Sequence, residues 1–311
     1  MEDYRLDIGV SSKYQFGVEI EFTGIYLDNL ERVLKDQEFP ARVVMSHDSR
    51  NINYKDWILD IDPTVSEAKD SRFYGGEFSS RILIDKKDTW LELKRLCQIL
   101  KMNGGFANRN CSNHITVSLS YLKDESYFFE VLCKLLVLYE NELEMFYMGD
   151  RYGIRDTKKE YARSLGLDIM CKMLEIDFNS PTLLYDLMER NPRIFIKHHA
   201  INLKKYIREE LMEVRYPNGT VLEKVIQNNI NFTLKFIDAI DRGVFSLEEI
   251  NRKIMDHRGT VFEKLQRKQV SFEDFLYIVD RISLNQADQE DFVGQYERVV
   301  KSKKLCPCLR V

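Results

Sequence analysis

FGVEIEF, residues 16–22, alternates apolar and charged side chains almost without a break. Strict alternation predicts a β-strand with one buried face, because successive side chains of a strand point to opposite faces of the sheet. The apolar residues then lie on the buried face, and Glu19 and Glu21 lie together on the other. The segment therefore predicts a sheet that carries a pair of carboxylates on one surface.

Six further segments indicate strands, and four of them repeat this division into an apolar and an ionisable face. The seven predicted strands are 14–22, 41–46, 56–62, 73–84, 114–120, 200–203 and 211–216. The ionisable side chains on these faces are Glu19, Glu21, Asp60, Asp62, Glu77, His114, Glu213 and Arg215. Such a surface is either the solvated face that antiparallel sheets often have or a binding site.

The composition of this surface favours a binding site. Carboxylates gathered on one surface repel each other, and divalent cations relieve that repulsion. Oxygen ligands with one imidazole suit Mg²⁺ or Mn²⁺ better than structural zinc. Cations beside an arginine suggest a bound polyphosphate.

Segments with helical patterns alternate with the predicted strands up to about residue 220, and beyond that point the sequence predicts helices only. Helices are predicted at 26–36, 88–102 and 125–147, and after residue 220 at 220–241, from Ser246, from Ser271 and at 287–301. The predicted fold class is therefore α+β, an antiparallel sheet flanked by helices. We expect the apolar face of the sheet to pack on helices such as 88–102 and 125–147. We expect a sheet domain at residues 1–220 and a helical C-terminal region at 221–311, ending in a frayed basic tail from residue 301.

Composition narrows the class of protein. The 311 residues include 46 basic and 50 acidic side chains, for a net charge of −4, so we expect no nucleic-acid partner. No apolar run is long enough for a membrane span. The acidic start lacks the regions of a secretory signal, and six scattered cysteines do not form a disulfide scaffold. We therefore expect a cytoplasmic protein, with an oligomer left open.

Five motifs, taken in order, resemble the amidoligase family of the glutamine synthetase and glutamate–cysteine ligase superfamily. They are FGVEIEF at 16–22, Trp57 with Asp62 and Thr64, GGEFSSRIL at 75–83, NCSNHITVS at 110–118 and MEVRYPNGT at 212–220. The resemblance implies a curved antiparallel sheet of the glutamine synthetase-like type that binds ATP and two or more Mg²⁺ or Mn²⁺ ions. It also implies ATP-dependent joining of a carboxylate to an amine through an acyl phosphate.

The resemblance further implies roles for single residues. The implied metal ligands are Glu19, Glu21, Glu77, His114 and Glu213. Arg215 is expected to meet the γ-phosphate, and His114 to bind metal or phosphate. Asp62 is our catalytic candidate for the general base, with Asp60 and Glu19 as alternatives. Arg151 and Arg155 belong to a polar segment that is either a lid bringing cations to ATP or a solvated loop.

Two departures from the family pattern leave other functions open. Ser112 and Asn113 stand where the family has Gly-Leu, and Thr116 stands where it has a second histidine. One alternative is phosphoryl transfer to another group on the same sheet. Another is a non-catalytic nucleotide-binding or scaffolding protein, which Thr116 favours. The substrates are open as well, and amino acids, peptides and protein side chains all fit an amide-forming reaction.

Overall fold

The computed structural model describes residues 4–44, 55–65, 74–149, 162, 199–203 and 205–305. In this part of the chain, helices flank a seven-stranded sheet. The strands are β1 (Phe16–Tyr26), β2 (Ala41–Val44), β3 (Trp57–Asp60), β4 (Tyr74–Ser79), β5 (Asn113–Ser118), β6 (Ile201–Asn202) and β7 (Leu211–Val214). The helices are α1 (Leu27–Asp36), α2 (Lys87–Met102), α3 (Glu125–Tyr147), α4 (Tyr206–Glu209), α5 (Glu223–Asp241), α6 (Leu247–Gln266), α7 (Phe272–Ile282) and α8 (Gln286–Leu305). All seven predicted strands are present, and the α+β class is confirmed.

The sheet is open, with the strand order β2-β3-β4-β1-β5-β7-β6. Every neighbouring pair is antiparallel except β2 and β3, which run parallel. The prediction of an antiparallel sheet is therefore wrong at the β2–β3 edge and agrees with the pairing of the other strands. Parallel neighbours need a crossover connection of about a dozen residues, and residues 45–56 between the two strands provide that length.

The apolar face of the sheet packs against helices, as its alternation predicts. Phe16, Val18 and Ile20 of β1 are all buried. The Trp90 ring of α2 stacks on Phe16 with 6.0 Å between ring centroids. α5 contacts β5, whereas α3, predicted to pack against the sheet, makes its most extensive contacts with α5 to α8. A single hydrophobic cluster runs through the sheet and the C-terminal helices.

Side-chain caps lie at the starts of several helices, among them α3, α6 and α7. The Asp124 carboxylate accepts a hydrogen bond from the Tyr127 amide at the start of α3. The predicted caps Ser246 and Ser271 accept hydrogen bonds in the same way at the starts of α6 and α7. α8 continues to Leu305, so the predicted frayed tail is helical in its first part, and residues 306–311 lie outside the described residues.

A bulge opposite two glycines shapes the centre of the sheet. The register between β1 and β4 shifts between Phe22 and Tyr26, opposite Gly75. Gly75 has φ +108°, which disfavours other residues. A Cβ on Gly76 would lie 2.4 Å from the Asp60 carbonyl oxygen. The close approach of β3 to β4 therefore requires glycine.

Candidate functional site

Strand pairing alone aligns the polar side chains of the three central strands β1, β4 and β5. Glu19 of β1 is paired with Ser79 of β4 on one side and with His114 of β5 on the other. Glu21 is paired with Glu77 of β4. Directly paired residues have Cβ atoms about 4.5–5.5 Å apart. The register therefore brings the ionisable side chains of the central strands together on one face.

The first cluster, called group A here, consists of Glu19, His114 and Glu213. One ligand atom from each lies within 4.8 Å of the other two. His114 Nδ1 lies 2.7 Å from Glu19 Oε2 and 4.0 Å from Glu213 Oε1. His114 and Glu213 are buried, and Glu19 is partly exposed.

Positive and neutral donors surround Glu213 in group A. Asn202 Nδ2 donates to Glu213 Oε2 at 2.6 Å. Lys205 Nζ and Arg215 Nη1 lie 3.3 and 3.2 Å from Glu213 Oε1. These contacts hold one end of the polar face in a defined geometry and place two cationic side chains beside it.

The charges around group A shift the pKa values of its carboxyls. Burial would raise the pKa of Glu19, but the hydrogen bond and charge of His114, with Lys205 and Arg215, lower it to about 2. Burial and the Glu19 charge would likewise raise the pKa of Glu213, yet the same three neighbours hold it below its usual value. Both carboxylates are therefore ionised at neutral pH and available as ligands.

The second cluster, group B, consists of Glu21, Asp62 and Glu77, whose ligand atoms also lie within 4.8 Å of one another. Thr64 donates to Asp62 through its amide and its hydroxyl, which orients that carboxylate just beyond β3. Burial, followed by the charges of Glu19 and Glu21, raises the pKa of Glu77 well above its usual value. Group B is thus a place where a cation would relieve repulsion between carboxylates.

Ser112 connects the two groups. Its amide donates to Glu21 Oε2 at 2.6 Å and its hydroxyl donates to Glu21 Oε1. The same hydroxyl oxygen lies 2.9 Å from His114 Nε2. Ser112 therefore contacts Glu21 of group B and His114 of group A.

Most of the predicted site residues meet on this face. All five predicted metal ligands fall in group A or group B, Asp62 joins group B, and Arg215 lies beside group A. Asp60 is paired with Glu77 but is not one of the three group B residues. Arg151 and Arg155 lie outside the described residues. The roles of all these residues stay predictions.

Sequence reasoning missed three residues of the site: Ser112, Asn202 and Lys205. A signal for Ser112 was available, because it lies two residues before His114 and alternation places both on one face. Asn202 required knowledge of which strand pairs with β7. Lys205 lies between β6 and β7, outside any periodic pattern, and only the folded chain brings it to Glu213.

The donor set fits hard divalent cations. Five carboxylates and one imidazole make up groups A and B. Mg²⁺ and Mn²⁺ favour carboxylate oxygens and accept imidazole, whereas structural zinc sites favour thiolate and imidazole ligands. The cysteines that the structure describes as free, Cys97, Cys111 and Cys133, are buried and belong to neither group. The site therefore suits cations that bind phosphate oxygens.

Comparison with protein families gives one match that covers most of the chain. A family model described as "Putative amidoligase enzyme" matches residues 12–237. This span contains all seven strands and every member of groups A and B. No curated protein matches the chain. In the described part of the chain, no helix combines the length and the apolar character needed to cross a membrane.

Proposed function

The chain belongs to the amidoligase family, and on that premise we propose that it is an ATP-dependent carboxylate–amine ligase with a glutamine synthetase-like sheet. The observation that carries the proposal is the presence of two neighbouring three-ligand clusters, groups A and B, on one sheet face. Phosphoryl transfer commonly uses cations held by carboxylates beside a cationic side chain. This face brings carboxylates together with the cationic side chains of Lys205 and Arg215.

Groups A and B would each hold one Mg²⁺ or Mn²⁺ ion. Such cations neutralise phosphate charge and stabilise the charge that develops during phosphoryl transfer. We place Asp62 among the ligands of group B rather than as the general base, because it lies within 4.8 Å of ligand atoms of Glu21 and Glu77. Asp60 remains a candidate for the base.

Arg215 would bind the phosphoryl group that ATP transfers. Its guanidinium lies 3.2 Å from Glu213 of group A, so it is held beside a carboxylate that would ligate a cation. Guanidinium is always charged and presents a planar fork of donors that matches phosphate oxygens. Lys205 is a second cation at this end of the site. Burial would lower its pKa, but the charges of Glu213 and Glu19 raise it above its usual value.

The proposed reaction has two steps. A carboxylate oxygen of the acid substrate forms a bond to the γ-phosphorus as the bond to the β-phosphate oxygen breaks, which yields an acyl phosphate and ADP. The amine nitrogen then forms a bond to the acyl carbon, inorganic phosphate leaves with the bonding pair, and a base takes the proton from nitrogen. Phosphorylation is needed because a free carboxylate has no adequate leaving group.

ATP turnover with pooled amino acids and peptides tests the proposal. The wild-type chain with Mg²⁺ should release ADP and phosphate in equal amounts and form new amide masses. Glu21→Gln, which removes a group B ligand, should abolish all three signals. ATP turnover into a phosphorylated product without an amide would instead indicate a phosphotransferase.

Thr116 favours a second candidate function, a non-catalytic nucleotide-binding member. Thr116 is paired with Glu213, so the family's second histidine is replaced at a position directly beside group A. A threonine hydroxyl is a weaker ligand than imidazole for most divalent metals. ATP binding without ADP formation across the whole substrate pool would support this alternative over the ligase.

A further inference from the structure

We propose that Ser112 is a positioning residue that holds His114 with its Nδ1 atom presented to the cation of group A. The inference rests on the proposed function, since it concerns how group A binds its cation. It goes beyond the family pattern, which has glycine where this chain has Ser112. A glycine offers no hydroxyl, so the contact with His114 is a property of this chain.

The backbone of Ser112 is held on two sides. Its carbonyl accepts a hydrogen bond from the Glu21 amide at 3.1 Å, and its backbone forms an isolated bridge with Asn218. The side chain is buried, with 4% of the residue exposed. The hydroxyl is therefore held in place beside His114 rather than free to turn into solvent.

Counting hydrogen atoms fixes the direction of each contact. A hydroxyl has one hydrogen to donate, and an ionised carboxylate can only accept. Since the Ser112 hydroxyl donates to Glu21, its oxygen must accept a hydrogen from His114 Nε2, 2.9 Å away. A neutral imidazole with its hydrogen on Nε2 has its lone pair on Nδ1.

Nδ1 is the atom that faces group A. It lies 2.7 Å from Glu19 Oε2 and 4.0 Å from Glu213 Oε1. Without a cation, the shorter contact also needs a hydrogen on Nδ1, so the tautomer is informative only when the cation is bound. Outer contacts of this kind orient ligating histidines, and removing them commonly lowers metal affinity about 10–100-fold.

Mn²⁺ binding followed by electron paramagnetic resonance tests the inference. The measurements are made in the Glu77→Gln background, which disables group B and leaves group A. Adding Ser112→Ala removes the hydroxyl but keeps the amide contact with Glu21, and should weaken Mn²⁺ binding about 10-fold. Ser118→Ala is the matched control, since Ser118 ends the strand that Ser112 directly precedes and its hydroxyl contacts Ser120 instead. The control should bind like the E77Q parent.

A double-mutant cycle separates positioning from general weakening of the site. Adding His114→Gln should lower the affinity of group A, and Ser112→Ala should cause little further loss in that background, because Ser112 acts through His114. Additive losses would overturn the positioning role. Equal Mn²⁺ binding by S112A and the E77Q parent would overturn it as well, while leaving the proposed cation site intact.

The tautomer of His114 can be measured in the wild-type chain, so this test does not require any variant to fold. With Mg²⁺ bound, nitrogen NMR of the wild-type chain should show His114 with its hydrogen on Nε2. A hydrogen on Nδ1 instead would overturn the inference. Absence of any Mn²⁺ binding by the wild-type chain would overturn the cation site of the proposed function, a different result from a site that binds Mn²⁺ without help from Ser112.

Discussion

Glu19 and Glu21 are separated by a single residue on one strand, yet they belong to different groups. Glu19 contacts His114 of β5, whereas Glu21 lies with Asp62 and Glu77. The difference follows from the register, which pairs Glu19 with His114 and Glu21 with Glu77. The Glu-x-Glu motif thus provides one carboxylate to each of two adjacent groups.

Arg215 is the residue proposed to contact the phosphoryl group that ATP transfers. In the proposed mechanism Arg215→Ala removes a charge that stabilises the transferring phosphoryl group, so this change should lower turnover about 100-fold or more. Steady-state ADP release measures the effect. Arg242→Ala is the matched control, since Arg242 is paired with Asp238 at the end of α5 and should keep the wild-type rate. An R215A chain with an unchanged rate would contradict the role assigned to Arg215.

The sequence predicts which residues lie on the polar face, because alternation along a strand fixes which side chains share a face. The sequence did not predict the division of these residues into groups A and B, because that division depends on the pairing of strands distant in the sequence. Asn202 and Lys205 show the same limit, since they reach Glu213 only through the pairing of β6 with β7. Local pattern therefore predicted which side chains share the polar face, and long-range register determined how they are grouped.

At the scale of elements, the approach of β3 to β4 depends on Gly76. Gly76→Ala should lower the free energy of unfolding by about 1–3 kcal/mol, because the new methyl group would collide with the Asp60 carbonyl. The shift of β3 should also weaken cation binding at Asp62, which follows that strand. Urea unfolding and Mn²⁺ titration measure the two effects.

Gly259→Ala is the matched control for Gly76→Ala. Gly259 lies within α6, and a Cβ there would meet nothing within 4 Å. Alanine in a helix interior is favoured over glycine by about 0.5–1 kcal/mol, so this variant should be slightly more stable than wild type. Equal stability of the two variants would contradict the account of the β3–β4 contact.

Element boundaries were predicted best where a cap or a breaker marks them. Ser246 and Ser271 precede α6 and α7 as predicted, since a serine cap followed by an acidic residue is a local signal. The parallel pairing of β2 with β3 was missed, because the residues of these two strands are compatible with a parallel or an antiparallel arrangement. Direction in a sheet depends on how the connecting chain crosses, and no local pattern encodes it.

For the whole molecule, a buried ion-pair network joins the N-terminal segment to the C-terminal helices. Asp288 of α8 is paired with Lys235 of α5 and lies 2.7 Å from Arg5. The side chains of Asp288 and Lys235 are fully buried. Because a buried charge without its partner is costly, Asp288→Asn should lower the free energy of unfolding by about 3–5 kcal/mol at neutral pH. Urea unfolding measures this loss of stability. Asp280→Asn, at an exposed position, is the control and should leave the free energy of unfolding nearly unchanged.

The same network predicts a dependence of stability on pH. Burial would raise the pKa of Asp288, but Lys235 and Arg5 hold it below its usual value. A carboxyl with a lowered pKa stabilises the folded chain above its unfolded pKa of about 3.9, and this contribution is lost as the pH falls through the folded pKa. The stability difference between wild type and D288N should therefore be largest near neutral pH and shrink below about pH 4. A difference that stays constant to pH 3 would contradict the ion pair.

Counting the Mn²⁺ ions bound per chain tests whether groups A and B are two separate cation sites. The account predicts one ion in each group, with Glu213→Gln removing the ion of group A and Glu77→Gln removing the ion of group B. Glu297→Gln, which alters an exposed carboxylate of α8 paired with Lys301, should leave both ions bound. No Mn²⁺ binding by the wild-type chain, or the same number of ions bound by all three variants, would contradict it.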